Sequence, residues 1–273
     1  MISPSKALML LLIWGSFWIP VAEARENRAI KAIAFDAFPI FDPRPIEAAA
    51  VDMFPEKGKE LVRLWRSRQF EYQWLRALGG QYRDFQGITE DALAFAAAQL
   101  DLPLTEDARR KLMAPYAGLS AWPDAKAALS KLKADGYKVV FLSNMTGEML
   151  RSGLAASGLE DVFDGVYSTD SKGTFKPSPQ AYQIALEELN LAREEILFVA
   201  FAGWDAAGAK WFGYPTFWVN RAGGALEELG TAPDGSGRDL QALLDFLEIK
   251  SKANGEYAEH GAAVAAPHST TIQ

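Results

Sequence analysis

Four polar positions in this chain could carry a reaction: Asp36, the serine–asparagine pair at 143–144, Lys176 and Asp205. They stand in the stretches "KAIAFD", "FLSN", "FKPS" and "AGWD". An ionised aspartate in a pocket without water is a competent nucleophile, and it would form an ester that water then hydrolyses. A lysine nearby would keep that aspartate ionised. A second carboxylate could act as general base for the water.

Each residue also has a simpler interpretation when it is taken alone. Asp36 could end a strand in a turn, Ser143 or Asn144 could cap the following helix, and Lys176 could lie on a surface loop. The chemical interpretation therefore depends on whether the fold brings these residues together.

The residue types that are scarce narrow the chemistry further. The chain has no cysteine, and both of its histidines, His260 and His268, lie close to its C-terminus. This disfavours a histidine-based triad, a cysteine nucleophile and a zinc site of histidine or thiolate ligands. An enzyme of this composition would work with Asp, Lys, Ser, Arg and Tyr.

Short apolar runs predict the elements that would position these side chains. Candidate buried strands cover residues 31–38, 137–142, 196–200 and 216–219. Helical patterns cover residues 123–135, 148–157, 179–190 and 205–212. Strands that alternate with helices predict an α/β protein with a parallel sheet. The polar residues would then meet at the carboxyl ends of the strands, where such sheets bind ligands.

The predicted domains follow from the long gap between the first two strands. Residues 42–120 contain helical patterns without a convincing strand, which predicts an inserted helical cap. The core would comprise residues 26–41 and 121–250.

The two ends of the chain differ from the rest. Residues 1–24 have an early lysine, an uncharged apolar stretch and small residues near Ala24, the order of a secretory signal peptide. We therefore expect a periplasmic or secreted protein that is not membrane-bound after signal removal; an uncleaved anchor is the alternative. Residues 251–273 have the composition of a disordered tail. The net charge of −7 offers no electrostatic footprint for nucleic acid.

The motifs resemble those of a known family. The order of "FDAF", "FLSN", "KPSPQAY" and "WDAAGAKWFGYP" resembles the haloacid dehalogenase superfamily. The longer segments "LWRSRQFEYQWLRALGGQYRDF" and "GWDAAGAKWFGYPTFWVNR" are similar to its 2-haloacid dehalogenase branch. The resemblance implies a modified Rossmann core with a helical cap, no cofactor and a homodimer. It also implies a hydrolase that displaces the leaving group at C2 of a small carboxylic acid.

The same resemblance implies roles for individual residues. Asp36 would be the nucleophile, Lys176 would balance its charge, Tyr182 would orient the lysine, and Asp205 would prepare the water. The other residues would bind substrate. Ser143 and Asn144 would hold the carboxylate, Arg66 would meet the leaving group, and an apolar wall would consist of Phe38, Trp65, Phe85 and Trp204. For the aromatic residues, simple core packing is the alternative.

Departures from the family pattern bear on both metal and substrate. Phosphatases of the superfamily carry a second acid where this chain has Phe38, and an acid in the fourth motif where it reads "FVAFAG". Mg²⁺ would lack these oxygen ligands, so we expect no metal and no phosphoryl transfer. Dehalogenases of the branch have polar groups at the positions of Ile40, Ala200 and Ala202.

These apolar replacements suggest an unusual substrate. A ring-opening activity of the branch converts L-azetidine-2-carboxylate to 2-hydroxy-4-aminobutyrate and needs no halide site. Its cationic nitrogen could lie against aromatic rings near Phe38, Phe201 and Trp204. We therefore expect a ring-opening hydrolase, with (S)-2-haloacid dehalogenation as the alternative reaction. A protein that binds a small acid and has weakened catalysis is the alternative that is not an active enzyme.

Overall fold

A computed structural model describes residues 29–250 of the chain. Its centre is a six-stranded sheet with the strand order β3-β2-β1-β4-β5-β6, and every neighbouring pair is parallel. The strands are β1 (Ala32–Phe35), β2 (Lys138–Ser143), β3 (Gly165–Ser168), β4 (Ile196–Ala200), β5 (Thr216–Val219) and β6 (Gly235–Gly237). This is the predicted α/β class with a Rossmann-like sheet.

Eight α-helices with assigned bounds accompany the sheet within the described residues. They are α1 (Arg44–Met53), α2 (Gly58–Leu78), α3 (Phe85–Gln99), α4 (Glu106–Met113), α5 (Ala125–Ala134), α6 (Gly147–Ser157), α7 (Pro179–Leu189) and α8 (Gly203–Phe212). Short 3₁₀ turns cover Ala114–Ala117, Thr169–Lys172 and Arg193–Glu195. Residues 240–250 are also helical.

The central strands are buried on both faces, which explains their unbroken apolar sequences. Ile33 and Phe35 of β1 face one hydrophobic cluster, whereas Ala32 and Ala34 face the other. β1 lies at the centre of the sheet. The chain adds β2 and β3 on one side of β1, then crosses over and adds β4, β5 and β6 on the other side. The strand order therefore reverses beside the end of β1, which is where open α/β sheets bind ligands.

The predicted elements need several corrections. β1 ends at Phe35 rather than at residue 38, because the chain turns at once: the amides of Ile40 and Phe41 both donate to the carbonyl of Ala37. β3, β6 and the helix at 240–250 were not predicted. β3 is only partly buried and β6 has the sequence Gly-Ser-Gly, so neither carries the apolar run that marks a buried strand.

The insert between Phe41 and Ala121 contains α1 to α4 and the 3₁₀ turn Ala114–Ala117, and it contains no named strand among the described residues. Its two ends meet in an isolated antiparallel bridge between Phe41 and Ala121. The amide of Asp42 donates to the carbonyl of Ser120, and that of Trp122 donates to the carbonyl of Ile40. The chain thus enters and leaves the helical insert at one place, close to the bounds of 42 and 120 expected for the cap.

Some expectations concern residues outside the described range. The signal peptide at 1–24 and the disordered tail at 251–273 both lie outside residues 29–250. Within that range, no helix has the length and apolar character needed to cross a membrane.

Candidate active site

The carboxylate of Asp36 lies directly after the central strand. The backbone amide of Asp36 donates to the carbonyl of Val199 at 3.0 Å, which extends the pairing of β1 with β4 by one residue. The hydroxyl of Ser143, at the end of β2, donates to Asp36 Oδ1 at 3.1 Å. The amide of Phe38 lies 3.4 Å from Oδ2. Two adjacent strand ends therefore converge on this carboxylate, as the parallel order predicts.

Lys176 joins this carboxylate to a second one. Its Nζ donates to Asp36 Oδ1 at 2.9 Å and to Asp205 Oδ2 at 2.6 Å, and its side chain is only 1% exposed. Burial opposes the charge of the lysine, but the two carboxylates outweigh it and raise the pKa of Lys176. The structure thus brings the predicted nucleophile, lysine and second carboxylate into one buried cluster.

Asp205 occupies the first turn of α8, immediately after β4. Burial raises the pKa of this carboxyl to about 6, and the charge of Asp36 adds to the effect, although Lys176 and Tyr182 oppose it. A carboxylate of this pKa is ionised at neutral pH and is a stronger base than an exposed aspartate.

The position of Tyr182 corrects one expectation. Its hydroxyl donates to Asp205 Oδ1 at 2.7 Å, and it makes no hydrogen bond to Lys176 among the described contacts. Burial, together with the neighbouring Asp205, raises the pKa of the Tyr182 hydroxyl well above its usual range. The tyrosine therefore remains a neutral donor, and it orients the second carboxylate rather than the lysine.

Asn144 contacts protein atoms on both sides of its amide group. Its Oδ1 accepts from the backbone amide of Lys176 at 2.9 Å and from the hydroxyl of Thr169 at 3.3 Å. Its Nδ2 donates to Oε1 of Gln73, on the cap helix α2, at 2.7 Å. These contacts show that Asn144 holds the loop that carries Lys176 and joins the core to the cap. Its expected role in binding the substrate carboxylate stays a prediction.

The cap contributes one face of α2 to the site. Arg66, Phe70 and Gln73 follow one another at helical spacing and all line the cavity beside Asp36. Trp65 is directed elsewhere, because one residue along a helix turns the side chain by about 100°. Its Nε1 donates to the carbonyl of Thr89 within the cap, at 2.7 Å. The prediction that Trp65 lines the apolar wall was wrong.

The small cavity between core and cap has aromatic walls. The predicted residues Phe38, Phe85 and Trp204 all line it. The ring of Phe38 packs against Phe201 with centroids 5.6 Å apart, and the Arg66 guanidinium lies 5.1 Å from the Phe38 centroid. The aromatic wall therefore faces a cation that the cap already supplies.

Three hydrogen-bond donors of residues that line this cavity are buried and have no hydrogen-bond partner among residues 29–250. They are Nη1 of Arg66, Nε2 of Gln73 and Nε1 of Trp204. Buried donors are normally satisfied, and each unsatisfied one costs about 1–3 kcal/mol. Donors that line an apolar cavity without partners indicate that the cavity receives acceptors, and an anion is the acceptor that a guanidinium favours most.

Of the three apolar replacements, Ala202 lines the cavity beside Asp36, whereas Ile40 and Ala200 are buried outside its lining. Ile40 is fully buried in the hydrophobic core, Ala200 is the buried end of β4, and Ala202 lines the cavity at the start of α8. No group of three or more Asp, Glu, His or Cys side chains within residues 29–250 is arranged to hold a metal ion.

Gln73 was not predicted from the sequence; it is fully buried, accepts a hydrogen bond from Asn144, and lines the same cavity. Its signal was present as a helical spacing: residues 66, 70 and 73 form a single stripe in α2. That stripe could be recognised only once one of its members was known to face the site.

The buried carboxylate–lysine–carboxylate cluster lies at the switch point of a parallel α/β sheet, under a helical cap. It can supply the nucleophile, the counter-charge and the base that a hydrolase needs. The chain matches the family of haloacid dehalogenase-like hydrolases over residues 17–213, and it belongs to that family.

Two kinds of relative extend this result. The (S)-2-haloacid dehalogenase of Pseudomonas sp. strain YL is 39% identical over 220 residues, which cover 80% of this chain and 95% of the relative. The crystal structure of the L-2-haloacid dehalogenase RSc1362 superimposes with a TM-score of 0.79 at 40% identity, covering 81% of this chain and 100% of that one.

A third relative carries a bound compound. The L-2-haloacid dehalogenase of Xanthobacter autotrophicus, with chloropropionic acid covalently bound, has a TM-score of 0.74 and 33% identity. The match covers 80% of this chain and 98% of that chain. The fold of this chain is therefore that of haloacid dehalogenase structures.

Proposed function

We propose that this hydrolase is an (S)-2-haloacid dehalogenase that converts a small 2-haloacid to the 2-hydroxy acid and halide. The observation that carries the proposal is the opposition of two groups across one cavity. Asp36 lines the cavity from the core, whereas Arg66 lines it from the cap helix α2. A nucleophile and an anion-binding cation on opposite sides are what an in-line displacement of halide requires.

The first step uses the freer oxygen of Asp36. Oδ1 accepts from both Lys176 and Ser143, whereas the contact found for Oδ2 among residues 29–250 is a long one, with the Phe38 amide. Oδ2 attacks C2 of the substrate, a C–O bond forms, and the carbon–halogen bond breaks with its electron pair leaving on the halide. Attack from the face opposite the halide inverts the configuration at C2.

The second step regenerates the carboxylate. Asp205, held ionised by Lys176 and Tyr182, takes a proton from water. The resulting hydroxide attacks Cγ of the Asp36 ester, and the bond between Cγ and Oδ2 breaks. The proton held by Asp205 then passes to the leaving oxygen, and the remaining proton of the water is lost to solvent. The 2-hydroxy acid leaves with the oxygen that belonged to Asp36, and the new carboxylate oxygen comes from water.

Ring opening of L-azetidine-2-carboxylate, the first expectation from sequence, has weaker support. It relied on aromatic faces that would receive a cationic ring nitrogen. The Arg66 guanidinium already lies 5.1 Å from the Phe38 centroid and 5.5 Å from that of Phe70. A second cation at this wall would be repelled, and a halide would be attracted.

Incubation of the protein with (S)- and (R)-2-chloropropionate and with L-azetidine-2-carboxylate tests the proposal. We expect chloride release from the S acid with (R)-lactate as product, little release from the R acid, and no 2-hydroxy-4-aminobutyrate.

A single turnover in ¹⁸O-water should label the Asp36 carboxylate and leave the lactate unlabelled. Asp36→Asn should abolish turnover, because an amide oxygen is a poor nucleophile. Azetidine turnover without halide release would reverse the order of the two substrates, and binding without any turnover would favour the weakened acid-binding protein.

We also propose that the protein is exported from the cytoplasm and that it forms a homodimer. The composition of residues 1–24 supports cleavage of a signal peptide and a periplasmic or secreted location. N-terminal sequencing of protein recovered from fractionated cells tests this, since a mature chain beginning near residue 25 is expected. The family resemblance supports a homodimer, which sedimentation of the purified protein tests.

A further inference from the structure

A chain of hydrogen bonds fixes the orientation of the Gln73 amide. The backbone N–H of Lys176 can only donate, and it contacts Asn144 Oδ1 at 2.9 Å. The other end of the Asn144 amide is therefore the donor nitrogen. That nitrogen lies 2.7 Å from Gln73 Oε1, which must accept. The Nε2 of Gln73 then has both of its hydrogens free.

The surroundings of Gln73 show where this donor acts. The side chain is fully buried, lines the cavity beside Asp36, and its Nε2 has no partner among the described residues. Gln69, one turn earlier on α2, provides a contrast: its Nε2 donates to the Thr89 hydroxyl at 2.6 Å inside the cap. A buried donor normally has a partner, so the unsatisfied Nε2 of Gln73 calls for an acceptor in the cavity.

We propose that Gln73 is a second leaving-group residue, donating through Nε2 to the halide as it departs beside Arg66; this inference rests on the proposed dehalogenase function. Asp36 attacks from the core, so the halide leaves toward the cap. Arg66 and Gln73 lie two turns apart on the same face of α2, the cap helix that lines the cavity. A donor that acts on the departing halide stabilises charge that develops in the transition state, which is how such a group accelerates the reaction.

The leaving group provides the test. Chloride is a poorer leaving group than bromide and depends more on hydrogen bonding as its charge develops. Gln73→Met removes both ends of the amide, whereas Gln73→Glu retains an oxygen for Asn144 and removes the donor. In single-turnover experiments at pH 8, both variants should release chloride from (S)-2-chloropropionate about tenfold more slowly. Bromide release from the bromo acid should fall by clearly less.

Gln69→Met is the matched control, since it makes the same change on the same helix outside the cavity. It should leave the bromide-to-chloride rate ratio unchanged, whatever its effect on stability. Equal slowing of both substrates in the Gln73 variants, or an effect on KM alone, would overturn the proposal and leave Gln73 a support for Asn144.

A second measurement does not depend on turnover or on how the variants fold. Crystals of the wild-type protein soaked in bromide should show an anomalous peak in contact with both Gln73 Nε2 and Arg66. A cavity without bromide, or bromide away from Nε2, would refute the inference. Bromide at this position in a protein that dehalogenates no 2-haloacid would instead refute the proposed function while retaining the halide site.

Discussion

The charge balance of the site depends on one lysine placed between two aspartates. Lys176 is nearly fully buried, and its ion pairs reach both Asp36 and Asp205. Burying these charges is tolerable only because each has a partner. In the proposed mechanism, Asp36 loses its charge when the ester forms and ceases to raise the pKa of Asp205. Asp205 therefore stays ionised through the step that needs a base.

Tyr182 should set the acidic limit of activity. The pKa of Asp205 is about 6 while Asp36 is ionised, and loss of that charge in the proposed ester lowers it. Asp205 must be deprotonated to act as base, so the wild-type rate should fall once the pH drops below about 6. The hydrogen bond from Tyr182 lowers the pKa of this carboxyl. Tyr182→Phe should raise that pKa and move the acidic limit toward neutral pH. We expect about a tenfold loss at pH 6 and a small loss at pH 8.5, measured as kcat across the pH range.

Tyr214→Phe is the matched control for this prediction. The Tyr214 hydroxyl also makes one buried hydrogen bond, to the carbonyl of Tyr182, and it does not contact Asp205. Its removal should lower stability without moving the pH profile. An unchanged acidic limit in Tyr182→Phe would contradict the role of the tyrosine.

The contact between α7 and α8 is the element that holds this geometry. Asp205 and Gly208 lie on α8, and Tyr182 reaches them from α7. A Cβ at Gly208 would lie 2.5 Å from the Tyr182 hydroxyl oxygen and 2.7 Å from Pro177 Cβ. The glycine inside the helix thus allows the tyrosine and the lysine loop to approach.

Gly208→Ala should therefore harm the protein although alanine favours helices by about 1 kcal/mol. We expect a net loss of about 1–3 kcal/mol in the free energy of unfolding, because the methyl group overpacks the contact. Turnover should also fall, since the Tyr182 hydroxyl must move away from Asp205. Denaturant unfolding and kcat measure the two effects.

Gly147→Ala, at the start of α6, is the corresponding control. The nearest atom to an added Cβ there is the flexible end of Arg151, at 3.2 Å. This variant should be close to neutral in stability and activity. A Gly208→Ala protein as stable and active as this control would show that the close approach is not required.

The cavity is lined by residues of both the core and the cap, so its shape depends on the cap remaining packed against the core. Tyr82, in the segment after α2, stacks on Phe175 with centroids 5.3 Å apart. Its hydroxyl also donates to the carboxylate of Asp170 in the core. Phe175 directly precedes Lys176, so this contact ties the cap to the loop that carries the lysine.

Tyr82→Ala should loosen this joint. We expect a loss of about 2 kcal/mol in stability, a higher KM, and faster hydrogen exchange in α2 than in the sheet. Tyr82→Phe keeps the stacked ring and removes only a hydrogen bond to an exposed carboxylate, so it should lie within about 1 kcal/mol of wild type. Exchange in α2 that is unchanged in Tyr82→Ala would place the cap–core contact elsewhere.

The order of elements could be predicted from sequence because the central strands are buried on both faces. Their apolar runs, separated by helical patterns, already indicated an α/β sheet with a helical insert. The edge strands β3 and β6 could not be predicted, since they are short and partly exposed and carry no such run. The pairing partners of a strand are likewise a property of the assembled sheet.

The residue types and the order of Asp36, Lys176 and Asp205 were sufficient to predict that two carboxylates and a lysine meet at one edge of the sheet. Only the tertiary structure decided that Tyr182 serves the aspartate rather than the lysine. It also decided that the Trp65 side of α2 faces the cap interior while the Gln73 side faces the cavity. Such choices depend on which face of a helix meets which neighbour, and that is determined by packing between segments far apart in the chain.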